Sequence, residues 1–301
     1  MEGGAAFVTG GSGFVGRHLL AELGDRTIVA PGRETLELLD AGAVAHAVRD
    51  AEPSVVFHLA ALASVGQSWE EPARVMRENI ETTVNLLEAV RLEAPSAAVV
   101  IASSGEIYGP PERLPVDESA PLRPQNPYAV SKAACDLLAA QYADVHGLTV
   151  VRLRAFNQAG PGQTDEYVVG TIARQIAEAE AAGADEAVVE TGNPDARRDF
   201  TDVRDSARAY VLAAEAEAGA YNVCSERAVS VRELVALAAE SARIPVRHEV
   251  REARLRKHDV PEIRGSAELL AAQTGWAPAI PLAQTLADAV DAWRRELAAA
   301  R

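Results

Sequence analysis

Thr9-Gly10-Gly11-Ser12-Gly13-Phe14-Val15-Gly16 decides how this chain is read. Gly10, Gly13 and Gly16 fall in a Gly-x-x-Gly-x-x-Gly series, directly after the apolar run Ala5-Ala6-Phe7-Val8 and directly before an amphipathic stretch that begins at Phe14. A strand, a tight turn and a helix in that order present unpaired N–H groups and the positive end of a helix dipole, while the glycines let a pyrophosphate approach the backbone. A glycine series alone is weak evidence, and the bland alternative is a glycine-rich turn without function. Its place between strand and helix makes it a dinucleotide-binding fingerprint.

Working outward, short apolar runs alternate with longer amphipathic stretches, the pattern of a parallel sheet covered by helices. Strands are expected over 5–9, 27–30, 54–59, 97–102 and 149–156, and helices over 14–23, about 41–49, about 71–93 and 128–146, with a Pro-rich loop over 109–127. Val55-Val56-Phe57 and Val99-Val100-Ile101 are apolar throughout, as strands buried on both faces should be. Gly160-Pro161-Gly162 then breaks the rhythm, and shorter elements follow: helices over 167–182, 201–218, 230–241, 267–274 and 282–299, and strands over 187–191 and 220–223. The expected fold class is α/β, a Rossmann-type doubly wound parallel sheet with a smaller, interleaved C-terminal substrate-binding lobe. The dinucleotide-binding domain is expected over 1–160 and the lobe over 161–301, with segments near 199–223 returning to the main domain.

A chain of 301 residues with 48% hydrophobic content can bury a substantial core. Its formal net charge of −15 argues against a nucleic acid or an anionic membrane as partner. Cys135 and Cys224 lie far apart without metal-ligand spacing, so neither a disulfide framework nor a metal site is expected, and a reducing cytoplasm fits. No signal peptide is expected in the first ten residues, and apolar runs such as 97–102 fall short of the ~18–20 residues that span a bilayer.

The identity of the dinucleotide turns on the residues after the second strand, Ala30-Pro31-Gly32-Arg33. A basic residue there suits a ribose 2′-phosphate and an acidic one the 2′-hydroxyl. Arg33 favours NADP(H), and the adjacent Glu34 keeps NAD(H) possible. Further on, Pro127-Tyr128-Ala129-Val130-Ser131-Lys132 puts a phenol and an ammonium four residues apart on one helix face. A tyrosine with a pKa of about 10 is a poor acid or base near neutrality, but a neighbouring cation draws it toward the working range. Ser104, leaving the C-terminal edge of a strand, can hydrogen-bond a substrate oxygen, and Glu106 is a candidate base. His58 reads as a packed residue beside the cofactor cleft, Cys135 as core, and Trp69, Trp276 and Trp293 as packing residues.

The glycine turn, His58-Leu59-Ala60-Ala61, Ser103-Ser104-Gly105-Glu106-Ile107-Tyr108-Gly109 and the Tyr128/Lys132 segment together resemble the nucleotide-sugar branch of the extended short-chain dehydrogenase/reductases. The resemblance covers nearly the whole chain. Residues 154–163 and 192–205 are similar to GDP-4-keto-6-deoxy-D-mannose reductases and to the related GDP-mannose 4,6-dehydratases. It implies a catalytic set of Ser104, Tyr128 and Lys132, with Lys132 also bonding the nicotinamide ribose. Gly10, Ser12, Gly13, Phe14, Val15 and Gly16 would surround the pyrophosphate, Glu37 and Leu38 the adenine, and Leu59, Ala60, Ala61 and Asn79 the rest of the cofactor. Ser64, Ser104, Glu106, Asn157 and Arg198 would face the substrate, and Arg256 and Asp259 its diphosphate and ribose. Lys257, Ala155 and Glu37 depart from the family pattern. The implied activity is NADPH-dependent reduction of a nucleotide-linked, GDP-type 4-keto-6-deoxy sugar. A 4,6-dehydratase using Glu106 as base is the alternative, followed by a 4-epimerase, and a non-catalytic protein on the same fold is the reading from another class. A homodimer formed through helices flanking the sheet is also implied.

Overall fold

The computed structural model describes residues 4–252 and 260–299. In chain order, the first half forms β1 (Ala5–Thr9), α1 (Phe14–Glu22), β2 (Ile28–Val29), α2 (Ala41–Ala51), β3 (Pro53–His58), α3 (Val65–Glu70), α4 (Pro72–Glu93), β4 (Ala98–Ser104), a 3-10 turn (Gly105–Tyr108), α5 (Pro127–His146) and β5 (Val150–Ala155). There follow β6 (Asn157–Ala159), α6 (Val168–Ala181), β7 (Ala187–Thr191), β8 (Arg197–Asp202), α7 (Val203–Ala213), β9 (Gly219–Val223), β10 (Ala228–Ser230), α8 (Val231–Ala239), β11 (Val246–Val250), β12 (Glu262–Ile263), α9 (Glu268–Thr274) and α10 (Leu282–Ala299).

A six-stranded parallel sheet runs in the order β2-β1-β3-β4-β5-β9. This is the doubly wound α/β fold expected from the sequence. Alternate residues of β1 serve opposite faces: Ala6 and Val8 join a core with Leu19, Tyr210 and Trp276, while Phe7 joins one with Val44, Leu86 and Ala139. The chain leaves β1 for β2 on one side and later returns as β3 on the other. A crevice therefore opens at the C-terminal ends of β1 and β3, where sheets of this kind receive ligands.

The second half builds a smaller sheet, β10-β8-β12 with β6 also paired to β8, over a core that includes Ile172, Ile176, Leu234, Leu286 and Val290. Phe156 alone separates β5 from β6, so the two sheets share one crossing strand. Its ring lies against two glycine backbones: a Cβ added to Gly265 would sit 2.6 Å from it, and one added to Gly105 3.0 Å. Arg17 and His18 of α1 bond the carbonyls of Gly162 and Pro161 at 3.1 and 3.0 Å, tying the helix after the glycine turn to the loop that enters the second sheet.

The structure differs from the sequence reading in several places. The helix expected over 201–218 begins only at Val203, and Arg197–Asp202 is strand β8 in the smaller sheet. Its polarity conceals burial: Asp199 accepts from the backbone and hydroxyl of Ser225 at 2.7 and 2.6 Å, and Asp202 accepts from Thr285 at 2.8 Å. Asp202 also caps α7 by accepting from the Arg204 amide at 2.8 Å, which sets the helix start. Of the 199–223 stretch, α7 packs on α1 and β9 joins the main sheet, whereas β8 does not. The short α3 precedes the long helix, which starts afresh at Pro72, where a proline is well tolerated. The strands β6, β10, β11 and β12 have no counterpart in the sequence reading.

Candidate active site

The glycine turn is built by close backbone approach. Gly10 has φ +74, and a Cβ there would lie 2.6 Å from the Ala60 amide nitrogen. A Cβ on Gly16 would lie 2.1 Å from the Gly10 carbonyl oxygen. Gly10 and Gly16 thus let β1, α1 and the exit of β3 meet. Gly13 serves differently, as the N-cap of α1 with no side chain to occupy the helix's first amides, and a Cβ there would touch only the Gly10 oxygen, at 3.2 Å. Ser12 and Gly13 are exposed and Phe14 and Val15 half-buried. An uncapped helix N-terminus above a turn this tight fits a dinucleotide pyrophosphate.

Around that turn, Leu59 and Ala60 are half-buried and Ala61 exposed as the chain leaves β3. Arg33 stands on the exposed loop after β2, with the Glu78 carboxylate at 4.0 Å. Glu37 folds onto its own loop, accepting from the Leu39 amide at 3.0 Å, and the Leu38 carbonyl accepts from Asn85 at 2.9 Å. Asn79 is wholly engaged: it bonds the Leu62 amide at 2.8 Å, the Leu62 carbonyl at 3.1 Å and the Ser131 hydroxyl at 2.9 Å. Its side chain clamps the loop after β3 to α5. His58 is bonded to Thr9 at 2.8 Å and Thr83 at 3.2 Å, and burial, reinforced by Lys132, pushes its pKa down to about 3. It is a neutral brace at physiological pH.

Ser104, the last residue of β4, accepts from the Glu106 amide at 3.2 Å and so opens the 3-10 turn. Asn126 does for α5 what Ser104 does for that turn: its Oδ1 accepts from the Ala129 amide at 2.7 Å, while its Nδ2 donates to Glu106 at 3.2 Å. One side chain thereby fixes both the helix that carries Tyr128 and the carboxylate beside it. Half-buried as a residue, Tyr128 still has its pKa pushed well above the usual phenol value, first by burial, with Tyr167 and Glu106 adding to the rise and a Ser104 hydrogen bond opposing it. Lys132 is buried, and burial pulls its pKa down, opposed by Cys135 and Asp136. Burial thus outweighs the lowering expected from a neighbouring cation: the phenol holds its proton near neutrality and is equipped to give it up to a nascent alkoxide.

Ser104, Glu106 and Tyr128 come together at the C-terminal edge of β4, and Lys132 follows Tyr128 by one turn of α5. Of the residues expected to face the substrate, Asn157 opens β6 and donates to the Asp199 carbonyl at 3.2 Å, and Arg198 lies half-buried on β8, donating to the Arg197 and Val260 carbonyls at 2.8 and 2.7 Å. Ser64 caps α3, accepting from Gln67 at 3.2 Å. Arg256 and Asp259 lie outside the described residues. Sequence reasoning missed Asn126, although Asn-Pro before an amphipathic run is a helix-start signal. It also missed Tyr167 at the start of α6 and the buried pair Asp136–Arg154, for which no local signal exists. Among the described residues no cluster of three His, Cys, Asp or Glu side chains could hold a metal, and no helix is long and apolar enough to cross a membrane.

Residues 33–289 match the family model described as GDP-mannose 4,6 dehydratase. The GDP-6-deoxy-D-mannose reductase of Pseudomonas aeruginosa is 37% identical over 95% of this chain and 96% of its own length. Among solved structures, RMD from Pseudomonas aeruginosa complexed with NADPH superposes with a TM-score of 0.86 at 34% identity, covering 98% of this chain and all of its own. UDP-glucose 4-epimerase from Thermus thermophilus, in complex with NAD, gives a TM-score of 0.84 at 30% identity over 96% of this chain and 99% of its own. Glycine turn, Ser104/Tyr128/Lys132 cluster and these likenesses converge: the chain belongs to the GDP-mannose 4,6 dehydratase family, within the NAD(P)-dependent nucleotide-sugar enzymes of the extended short-chain dehydrogenase/reductase type.

Proposed function

We propose that this protein reduces the keto group of a GDP-linked 4-keto-6-deoxy sugar with NADPH as preferred reductant, NADH being a possible substitute. The observation that carries the proposal is the protonated Tyr128 phenol beside Ser104 at the mouth of the glycine-turn crevice. The likeness to a reductase over nearly the full length of both chains supports it.

When bound, NADPH supplies the hydride for the sugar's carbonyl carbon. Tyr128 gives its proton to the oxygen, so ketone, hydride and proton become an alcohol. Ser104 orients that oxygen, and Lys132 eases loss of the phenolic proton by its charge and holds the nicotinamide ribose. The first amides of α1, with Gly10, Ser12, Gly13, Phe14, Val15 and Gly16 around them, take the pyrophosphate, and Arg33 takes the 2′-phosphate. Glu37 and Leu38 lie at the adenine, with Leu59, Ala60, Ala61 and the Asn79 clamp lining the cleft. Ser64, Asn157 and Arg198, with Arg256 and Asp259, hold the nucleotide-sugar. The division of labour follows the two sheets, cofactor on the first and sugar nucleotide on the second. The protein works in the cytoplasm as a homodimer through α4 and α5, where Leu92, Leu137 and Val145 are largely exposed.

Glu106, held by Asn126 within the same cluster, favours a second reading, a 4,6-dehydratase in which that carboxylate removes the proton beside the keto group. The two differ in redox balance: a reductase consumes NADPH in step with product, whereas a dehydratase or a 4-epimerase consumes none. Offering GDP- and dTDP-4-keto-6-deoxyhexoses with NADPH, and following nicotinamide absorbance and sugar product, separates them. The expected result is stoichiometric NADPH loss with the GDP sugar, reduced at least about a hundredfold in Tyr128→Phe with NADPH affinity kept. No NADPH loss with either sugar would overturn the proposal.

A further inference from the structure

Asp136 is fully buried on α5, one turn beyond Lys132 and on the same helix face. Its carboxylate accepts from Ser103 at 2.7 Å, from Arg154 at 2.8 and 3.1 Å in a two-pronged pair, and from Arg152 at 3.2 Å. Pairing of β4 with β5 puts Ser103 opposite Arg154 and Ser104 opposite Ala155, so this carboxylate staples the ends of both strands to the helix. Arg154 reaches on to the Tyr108 hydroxyl at 3.0 Å, at the end of the turn that Ser104 opens, and Tyr108 donates to Asn222 at 2.7 Å. Both ends of the segment bearing Ser104 are thus referred to one buried ion pair. Such pairs contribute little net stability, because desolvation offsets their attraction, whereas they do fix geometry.

We propose that Asp136 is a positioning residue: held by Arg154, it fixes Ser103, and through it Ser104, against the helix that carries Tyr128 and Lys132. This rests on the reading of Ser104, Tyr128 and Lys132 as the reacting set. Removing the staple leaves the residues present but lets Ser104 drift from the line between substrate oxygen and phenol, a loss felt in the transition state more than in binding.

The charge has a second consequence. Against Lys132 stand Cys135 and Asp136 from its own helix and neutral His58 from β3, with Arg152 and Arg154 of β5 beyond Asp136, and Tyr128 lies one turn earlier on α5. Neutralising Asp136 removes a charge that raises the Lys132 pKa and leaves the two arginines unbalanced, so Lys132 binds its proton less tightly. The alkaline limb of the kcat profile then moves to lower pH.

The test measures kcat, KM and the pH profile of NADPH-dependent reduction in the full-length Ser103→Ala and Asp136→Asn variants, with Tyr128→Phe in parallel. Ser103→Ala, which removes one hydroxyl, should lose about tenfold in kcat at unchanged KM. Asp136→Asn should lose more and show the alkaline limb displaced to lower pH, a shift that loss of stability alone does not produce. Wild-type kcat in Ser103→Ala, or an unmoved limb in Asp136→Asn, overturns the inference, and if Asp136→Asn does not fold, the kcat of Ser103→Ala decides. Full turnover in Tyr128→Phe would instead overturn the underlying reading of the site.

Discussion

Gly16→Ala adds one methyl carbon, and the structure says where it would go: 2.1 Å from the Gly10 carbonyl oxygen, 2.7 Å from Gly11 Cα and 2.8 Å from the Gly11 carbonyl carbon. All three neighbours are backbone, so no side chain can rotate away. Restoring ordinary contact near 3.4 Å requires turn and helix to part by about 1.3 Å, and overpacking of this kind costs roughly 1–3 kcal/mol. Alanine recovers about 1 kcal/mol of that as a better helix former than glycine, so the folded protein should survive. Cofactor binding should suffer more, because the shift carries the first amides of α1 away from β1. Each charge-assisted hydrogen bond to the pyrophosphate is worth about 1.5–3 kcal/mol, so losing one weakens NADPH binding by about 10–100-fold. Calorimetric titration of NADPH into the folded variant reads this directly. A dissociation constant within twofold of wild type, with the circular dichroism of the native protein, would refute the account of the turn.

Arg33→Ala should weaken NADPH binding about tenfold and leave NADH unchanged, since Arg33 is largely exposed and its nearest described carboxylate, Glu78, is 4.0 Å away; equal losses for both nucleotides would remove Arg33 from the 2′-phosphate. Burial pushes Asp199 up to about 6, against the hydrogen bonds from Ser225 and Gly265. The folded protein therefore holds that proton more tightly than the unfolded chain, so the group's penalty is absent below about pH 4 and complete above about pH 6. Urea unfolding should show wild type losing on the order of 3 kcal/mol relative to Asp199→Asn between pH 4 and 7, and parallel curves would contradict this. Leu137→Asp should convert a dimer to a monomer in light scattering while circular dichroism stays native; an already monomeric wild type would exclude the α4/α5 assembly.

What the sequence showed depended on how each segment is buried. Strands β1, β3 and β4 are apolar through their centres because helices cover both faces, and unbroken runs such as Val55-Val56-Phe57 and Val99-Val100-Ile101 are easy to read. Strand β8 is buried through Asp199, Thr201 and Asp202, and its two carboxylates find their partners far along the chain, so its hydropathy resembled an exposed helix end. Spacing put Tyr128 and Lys132 on one helical face, but an exposed Tyr/Lys pair has the same spacing, and it was the glycine turn and the strand around the pair that pointed to chemistry. Asp136 and Arg154 are 18 residues apart and meet only because β5 pairs with β4, a fact of register that no local pattern encodes. Nor does spacing reveal that Asn79 is consumed as a clamp.

The crossing at Phe156 and the return of the chain as β9 bear on how this architecture can diversify. Because the sixth strand of the nucleotide-binding sheet is encoded after β7 and β8, a single crossover that replaces the whole second lobe also replaces β9. The lobe is therefore not a module that one exchange can carry over whole. Substitution of single side chains changes the sugar site while leaving that shared scaffold intact.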